Sequence, residues 1–198
     1  LVKGAYAVRL TILAGSALAF ISADALADAI FQHSGHTYKI ITEPASWSDA
    51  SIVAAEMTLA GHRGYLARVD SARENAAILK AITDHASPEQ IESSLAEDGS
   101  GAPFIWLGGS DSVEEGTWVW SNNGDSFWRG DFNGTSVEGR FTNWGVQPDS
   151  ATGAEDGLAM GLADWPAPFY DLGSSGQWND LDINTQLMYV VELSLIHI

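Results

Sequence analysis

Cysteine is absent from the 198 residues. That removes disulfides, thiolate metal sites and cysteine nucleophiles together. Basic residues are scarce as well: nine Lys and Arg stand against 26 Asp and Glu, for a formal net charge of −17. A chain of that sign is not expected to bind nucleic acid, which needs a basic face, and an anionic membrane surface would repel it. Its most apolar run is too short for a comfortable transmembrane span. No internal repeat or low-complexity tract is present.

What is present is acid, tryptophan and enough length for a core. A chain of 198 residues is one ordinary domain or slightly more, and a domain of that size buries a substantial core. The acidic excess suits a cation-binding or very soluble extracellular protein. Eight tryptophans point to a densely packed, loop-rich domain or to aromatic platforms for a ligand.

The two ends read differently from the middle. Lys3 and Arg9 precede and open an apolar stretch that closes on Ala25, Leu26 and Ala27. A basic start, a short apolar centre and small residues at the end predict a secretory signal over residues 1–27, cleaved after Ala27. An uncleaved anchor and a buried helix are the other readings of that stretch. With a signal, the protein is expected to be secreted, periplasmic or at the cell surface, with no membrane insertion after removal. Residues 28–193 then form the domain. The apolar SLIHI at 194–198 breaks the preceding pattern and is read as a non-native or disordered tail.

Along the domain, HTYKIIT (36–42) alternates as a first strand. SWSDASIVAAEMTLAG starts with Ser46 and Asp49 and predicts a helix ending at Gly61. GYLARV is a short strand. SARENAAILKAI opens on Ser71 and Glu74, a capping box, and predicts a second helix. The next stretch, 86–103, reads as a polar connection. FIWLGGSD and TWVWS are aromatic strands. Periodicity then fades from Asn122 to about Ala154, a long Gly-, Asn-, Asp- and Ser-rich region of the kind that carries function or is disordered. Strands return at 157–162 and 187–193, with GQWND between them. The fold class expected is α+β, with two early helices, small antiparallel sheets and long loops.

The late loops collect side-chain oxygens: Gln147, Asp149, Glu155, Asp156, Asn179 and Asp180. Calcium takes six to eight oxygens in flexible geometry, whereas zinc would want His or Cys. Two adjacent acids are costly to crowd without a cation. Asp111 and Glu115, four positions apart, could add two more carboxylates. The same residue types are also the ordinary residues of turns, so composition leaves both readings open.

Several motifs stand in one order: GYLARVDSARENAAI, IWLGGSD with EEGTWVW, NWGVQPD, ED and WND. With them the chain resembles the C-type lectin-like domain family over about residues 31–193. The resemblance implies that fold, with a long calcium-binding loop region. It implies a principal calcium (Ca2+) held by Gln147, Asp149, Glu155, Asn179 and Asp180, with Pro148 shaping the turn. In that family the bond before this proline is cis, a form that X-Pro peptides reach at low cost. Two vicinal sugar hydroxyls complete the calcium shell and hydrogen-bond to the same side chains, so Gln147, Asp149, Glu155 and Asn179 are also the implied sugar contacts. The order Gln-Pro-Asp implies galactose-like rather than mannose-like ligands. A second calcium position matches Asp111, Glu115, Glu155 and Asp156, and Ser150 stands where another acid is often found.

The chain also departs from that family. Leu59, Gly157, Ile183 and Val191 stand at cysteine positions, so packing must replace those crosslinks; cysteine-free members resemble bacterial ones. Residues 126–141 lengthen the loop before Asn143, as a partner surface or as a plain insertion. No aromatic follows Gln-Pro-Asp directly, and Trp165 or Tyr170 is the candidate sugar platform, with core packing as the other reading. Trp106, Trp118, Trp120 and Trp144 are read as core, and Trp178 as the residue that fixes the loop carrying Asn179. His33 and His36 show no third metal ligand in the sequence. The expected function is calcium-dependent carbohydrate binding with a glycan or glycoconjugate partner. The alternative is a protein-interaction module of the same fold with structural calcium only. An enzyme is not expected, since no acid pair sits in a recognisable catalytic motif. Oligomeric state is not legible.

Overall fold

The computed structural model describes residues 29–59, 61–149, 153–165 and 171–193. The expected signal segment, the tail at 194–198, Ser150 and Tyr170 lie outside the described residues.

The domain opens with a hairpin of β1 (Ala29–His33) and β2 (His36–Ala45), turned at Ser34 and Gly35, whose φ values are 51° and 90°. Ser46 caps α1 (Trp47–Glu56), its Oγ accepting from the Asp49 N–H at 3.1 Å. This helix stops at Glu56 rather than Gly61. β3 (Thr58–Leu59) and β4 (His62–Arg63) form a small hairpin there, because β-branched Thr58 and the left-handed Gly61 (φ 86°) favour a turn over another helical coil. β5 (Tyr65–Leu66) follows, then α2 (Ala72–His85). Ser71 caps α2 through the Glu74 N–H, 3.2 Å. The reciprocal half of the expected capping box is missing, because the Glu74 carboxylate accepts from the Asp70 N–H at 2.7 Å and from the Tyr38 hydroxyl instead. A capping box does occur in the expected polar connection, where Ser87 and Gln90 exchange both hydrogen bonds at the start of α3 (Pro88–Glu92).

The remaining elements are strands: β6 (Leu95–Ala96), β7 (Ala102–Ser110), β8 (Thr117–Trp120), β9 (Ser126–Arg129), β10 (Thr135–Ser136), β11 (Gly157–Gly161), β12 (Trp178–Leu181) and β13 (Leu187–Glu192). The main sheet runs β1-β2-β13-β7-β8-β9-β10. β13 and β7 are parallel; the other neighbours on this path are antiparallel. β11 pairs with both β7 and β12. Pairing of β13 with β2 joins the start and end of the domain. The lengthened loop is not featureless: β9 and β10 form a hairpin that extends the sheet edge.

Two apolar clusters hold the layers. One packs Ile78 and Ile82 of α2 with Trp118, Trp120, Phe127 and Trp178. The other packs Ala50 and Ala54 of α1 with Phe104, Trp106 and Trp165. Trp106, Trp118, Trp120 and Trp178 are buried; Trp144 is half-buried, its ring 5.0 Å from that of Trp118. Two of the cysteine positions are neighbours. A Cβ on Gly157 would lie 3.3 Å from Ile183 Cγ2 and 2.9 Å from the Trp106 ring, so the two positions are closely packed. Asp125 ties the hairpin segment down, accepting from Arg140 (2.9 Å) and Arg68 (3.0 Å). Those guanidinium hydrogen bonds, Arg140 first, lower its carboxyl to about 2.

Candidate functional site

The late loops are gathered around β12. Trp178 is the anchor: its indole N–H donates to Asn75 Oδ1 on α2 at 2.7 Å. Asn75 in turn donates to the Gly176 carbonyl at 2.9 Å, and Asn143 donates to the same carbonyl at 2.7 Å. Trp178 therefore fixes the strand that carries Asn179 and Asp180, as expected of it. On one side β12 pairs with β11, Leu158 opposite Asp180. On the other side Trp144 bridges Trp178, through Trp178 N–H to Asn143 O (2.8 Å) and Gly145 N–H to Trp178 O (3.0 Å). That bridge delivers Gln147, Pro148 and Asp149 to one flank of β12, and β11 delivers Glu155 to the other. The Gln147–Pro148 peptide is cis.

Carboxylate oxygens of Asp149, Glu155 and Asp180 come within 4.8 Å of one another. Asp180 Oδ2 accepts from the Asp149 N–H at 2.9 Å. Glu155, Asp180, Gln147 and Asn179 are buried, and Asp149 is exposed. Among the described residues, Gln147 Oε1 and Asn179 Oδ1 have no hydrogen-bond donor. A buried amide oxygen left without a donor carries the desolvation cost of that group, roughly 1–3 kcal/mol, and ordinarily has a partner. Three clustered carboxylates flanked in sequence by two such amide oxygens form an all-oxygen donor set, the chemistry of a hard cation. The residues present therefore fit calcium.

The four residues of the second expected position divide. Glu155 joins the cluster just described. Asp111, at the end of β7, is buried, and its N–H faces the Asp156 carbonyl at 3.4 Å. Its Oδ2 accepts from the Gly116 N–H at 2.9 Å, while Oδ1 has no donor among the described residues. Burial pushes the Asp111 carboxyl up to about 6; the Gly116 hydrogen bond opposes this, and the Glu115 and Asp156 charges add to it. Glu115 is exposed and Asp156 half-buried.

Trp165 requires a correction. As a sugar platform it would need an open ring face, but it is fully buried and packs on Phe104 with ring centres 5.1 Å apart. Gly161 and Gly173 leave room for the indole: a Cβ would come within 2.2 Å and 2.0 Å of the ring. Trp165 is a core residue. Gly161→Ala is therefore expected to destabilise the domain by about 1–3 kcal/mol through overpacking. Urea unfolding at constant calcium measures this, and a loss below about 0.5 kcal/mol, the ordinary surface range, would contradict the packing described.

A second polar cluster escapes sequence reading. His36 Nδ1 lies 2.6 Å from Glu192 Oε1, and both residues are buried beside Glu74. Glu192 Oε2 accepts from the Arg68 N–H at 3.4 Å. Tyr38, pushed up by burial and then by the Glu192 charge, stays protonated and donates to Glu74. Donors within the chain meet both carboxylates, so the cluster pins α2 to β2 and β13. The one signal for it is an acid, Glu192, ending the apolar strand LMYVVE.

Comparison with known proteins bears on the fold. No family model matches the chain. C-type lectin CEL-I from Cucumaria echinata superposes with a TM-score of 0.58 at 22% identity, covering 83% of this chain and 94% of that one. The fold is the C-type lectin-like fold. Herring type II antifreeze protein shares it, with a TM-score of 0.54 at 17% identity over 84% of this chain and 96% of that one, so this architecture serves more than one function. Halomucin from Haloquadratum walsbyi (strain DSM 16790 / HBSQ001) is 28% identical over 125 residues, which are 62% of this chain and 1% of halomucin. The chain thus spans about 1% of the length of the curated relative it matches. Among the described residues no helix is long and apolar enough to cross a membrane.

Proposed function

We propose that this C-type lectin-like domain is an exported, calcium-dependent carbohydrate-binding module of galactose type. The observation that carries the reading is the convergence of Asp149, Glu155 and Asp180 within 4.8 Å, flanked in sequence by Gln147 and Asn179, whose buried amide oxygens have no donor among the described residues. These five residues would hold the principal cation. Asp111, Glu115 and Asp156, with Glu155 shared, would hold a second. Bound there, calcium would supply open coordination positions that two vicinal sugar hydroxyls can fill.

The chain's own groups then choose the sugar. A carboxylate can only accept, so Asp149 and Glu155 take protons from hydroxyls. An amide can also donate, so Gln147 and Asn179 return N–H bonds to the hydroxyl oxygens. In Gln-Pro-Asp the amide stands before the proline and the acid after it, the order that the resemblance associates with galactose-like ligands. Export rests on the basic, apolar and small-residue pattern of residues 1–27.

A second reading is a protein-interaction module in which calcium only holds the loops; the burial of Trp165, which leaves it no face for a sugar, favours it. Retention on immobilised galactose in calcium, with release by chelator, is expected on the first reading. Passage straight through that resin, with no glycan bound on a sugar array in calcium, would favour the second.

A further inference from the structure

The inserted hairpin does more than lengthen the sheet. Its tip is a built turn. Gly130 N–H donates to Gly116 O at 2.8 Å, which ties the tip to the segment after β7. The Trp128 indole N–H is shared between the carbonyls of Gly130 (3.1 Å) and Asp131 (3.3 Å). Asp131 Oδ1 accepts from the Asn133 N–H at 2.8 Å, and Asp131 O from the Gly134 N–H at 2.7 Å. Each bond removes a freedom that a plain surface insertion would keep.

Between this tip and the Gln-Pro-Asp turn lies a cleft of about 160 Å³. Gly130 and Asp131 line it from the hairpin, Pro148 and Asp149 from the turn, with Trp118 and Glu115 completing it. Asp149 belongs to both places: it lines the cleft, and its carboxylate is one of the three within 4.8 Å. Asp149 is thus common to the cleft and to the proposed cation site. Phe132, next to Asp131 at the tip, is 52% exposed. Glycine backbone, Trp118 and Pro148 give the cleft apolar surface among three carboxylate residues that can accept hydrogen bonds.

We propose that this cleft is a second sugar subsite, so that the natural ligand is an uncharged oligosaccharide of at least two residues. This rests on the calcium–sugar reading above. A residue linked to the sugar at the Asp149 cluster would lie between Pro148 and the hairpin tip. Asp131 would accept from its hydroxyls, Asp131 having lone pairs beyond the one that Asn133 uses, and the ring of Phe132, next to Asp131 but outside the cleft's lining, would reach over the mouth to cover its apolar face. Asp131, the lining carboxylate not assigned to a cation, disfavours a sugar that carries a carboxylate.

The test is calorimetric titration in calcium of methyl β-galactoside, lactose and melibiose into the wild type, Phe132→Ala and Asp131→Asn. Phe132 is exposed, and asparagine keeps the acceptor for the Asn133 N–H, so both variants keep the turn. The wild type is expected to bind the better disaccharide about tenfold more tightly than the monosaccharide, the gain from covering one apolar ring face. That ratio should fall toward one in both variants. In saturation-transfer NMR, the reducing-end protons of the disaccharide should receive saturation from the wild type and lose it with Phe132→Ala. Monosaccharide binding with a ratio near one in the wild type, or an unchanged ratio in both variants, would overturn the subsite alone. Absence of binding by all three sugars would overturn the calcium–sugar reading and the subsite with it.

Discussion

Calcium at a hundredfold excess over its dissociation constant is expected to stabilise the domain by about 2.7 kcal/mol, a rise in melting temperature of about 5–10 °C for a domain of this size. The cause is the carboxylate cluster. Without a cation, Asp149, Glu155 and Asp180 hold their oxygens within 4.8 Å of one another, and like charges at that range repel. Asp111 adds a buried carboxyl against Glu115 and Asp156. Asp180→Asn separates the effects of charge and shape. Asparagine can still accept from the Asp149 N–H, so the local fold survives, but one ligand charge is gone. Calcium affinity should fall at least about tenfold, because charge count sets the affinity of such sites. In chelator the variant should melt no lower than the wild type, since a repulsive charge has been removed. Thermal melts of both proteins, with calcium and with chelator, check this. Identical wild-type curves in the two conditions would contradict it.

The second large effect expected is on sugar choice. Gln147→Glu with Asp149→Asn keeps the number of side-chain oxygens and the total charge. It exchanges the amide donor and the carboxylate across Pro148. Paired hydroxyls that match one arrangement then face a mispaired group in the other, at a cost of about 1–3 kcal/mol, roughly a tenfold to hundredfold change in preference. The wild type should prefer galactose over mannose, and the double variant should move toward mannose. Competition of both free sugars against one immobilised glycan, in calcium, measures the ranking. The same ranking in both proteins would mean that Gln147 and Asp149 do not set specificity.

Most of the fold is legible in the sequence where side-chain pattern and burial agree. β7 and β13 are nearly continuous apolar runs buried along their length. α2 shows both a Ser cap and an apolar face. The hairpin of β9 and β10 is not legible, because four residues followed by two carry too little alternation to register as strands. α3 is hidden for a related reason: none of its five residues is buried, so no apolar stripe marks it. Of the two readings of Trp165, sugar platform and core packing, the second holds, and the neighbouring Gly161 and Gly173 explain the space that takes the ring.

The candidate site divides along the same line. Gln147 to Asp149 and Asn179 with Asp180 can be named together because each sits in a short motif. Their approach depends on contacts far apart in the chain, such as Trp178 with Asn75, 103 residues away. The cluster of His36, Glu74 and Glu192 has no motif at all, and it joins residues up to 156 positions apart. The cleft under the hairpin tip is invisible for the same reason, since it exists only once Gly130 meets Gly116.

Linkage tests most directly whether a sugar is held through a cation at Asp149, Glu155 and Asp180. Galactose is titrated into chelated protein and into calcium-saturated protein, and calcium is titrated with and without saturating galactose. Coupling through one site is reciprocal, so each ligand must tighten the other by the same factor. The expected result is no galactose heat in chelator, clear binding in calcium, and calcium affinity raised by galactose. Equal galactose affinity in both conditions, or calcium affinity indifferent to galactose, would contradict it.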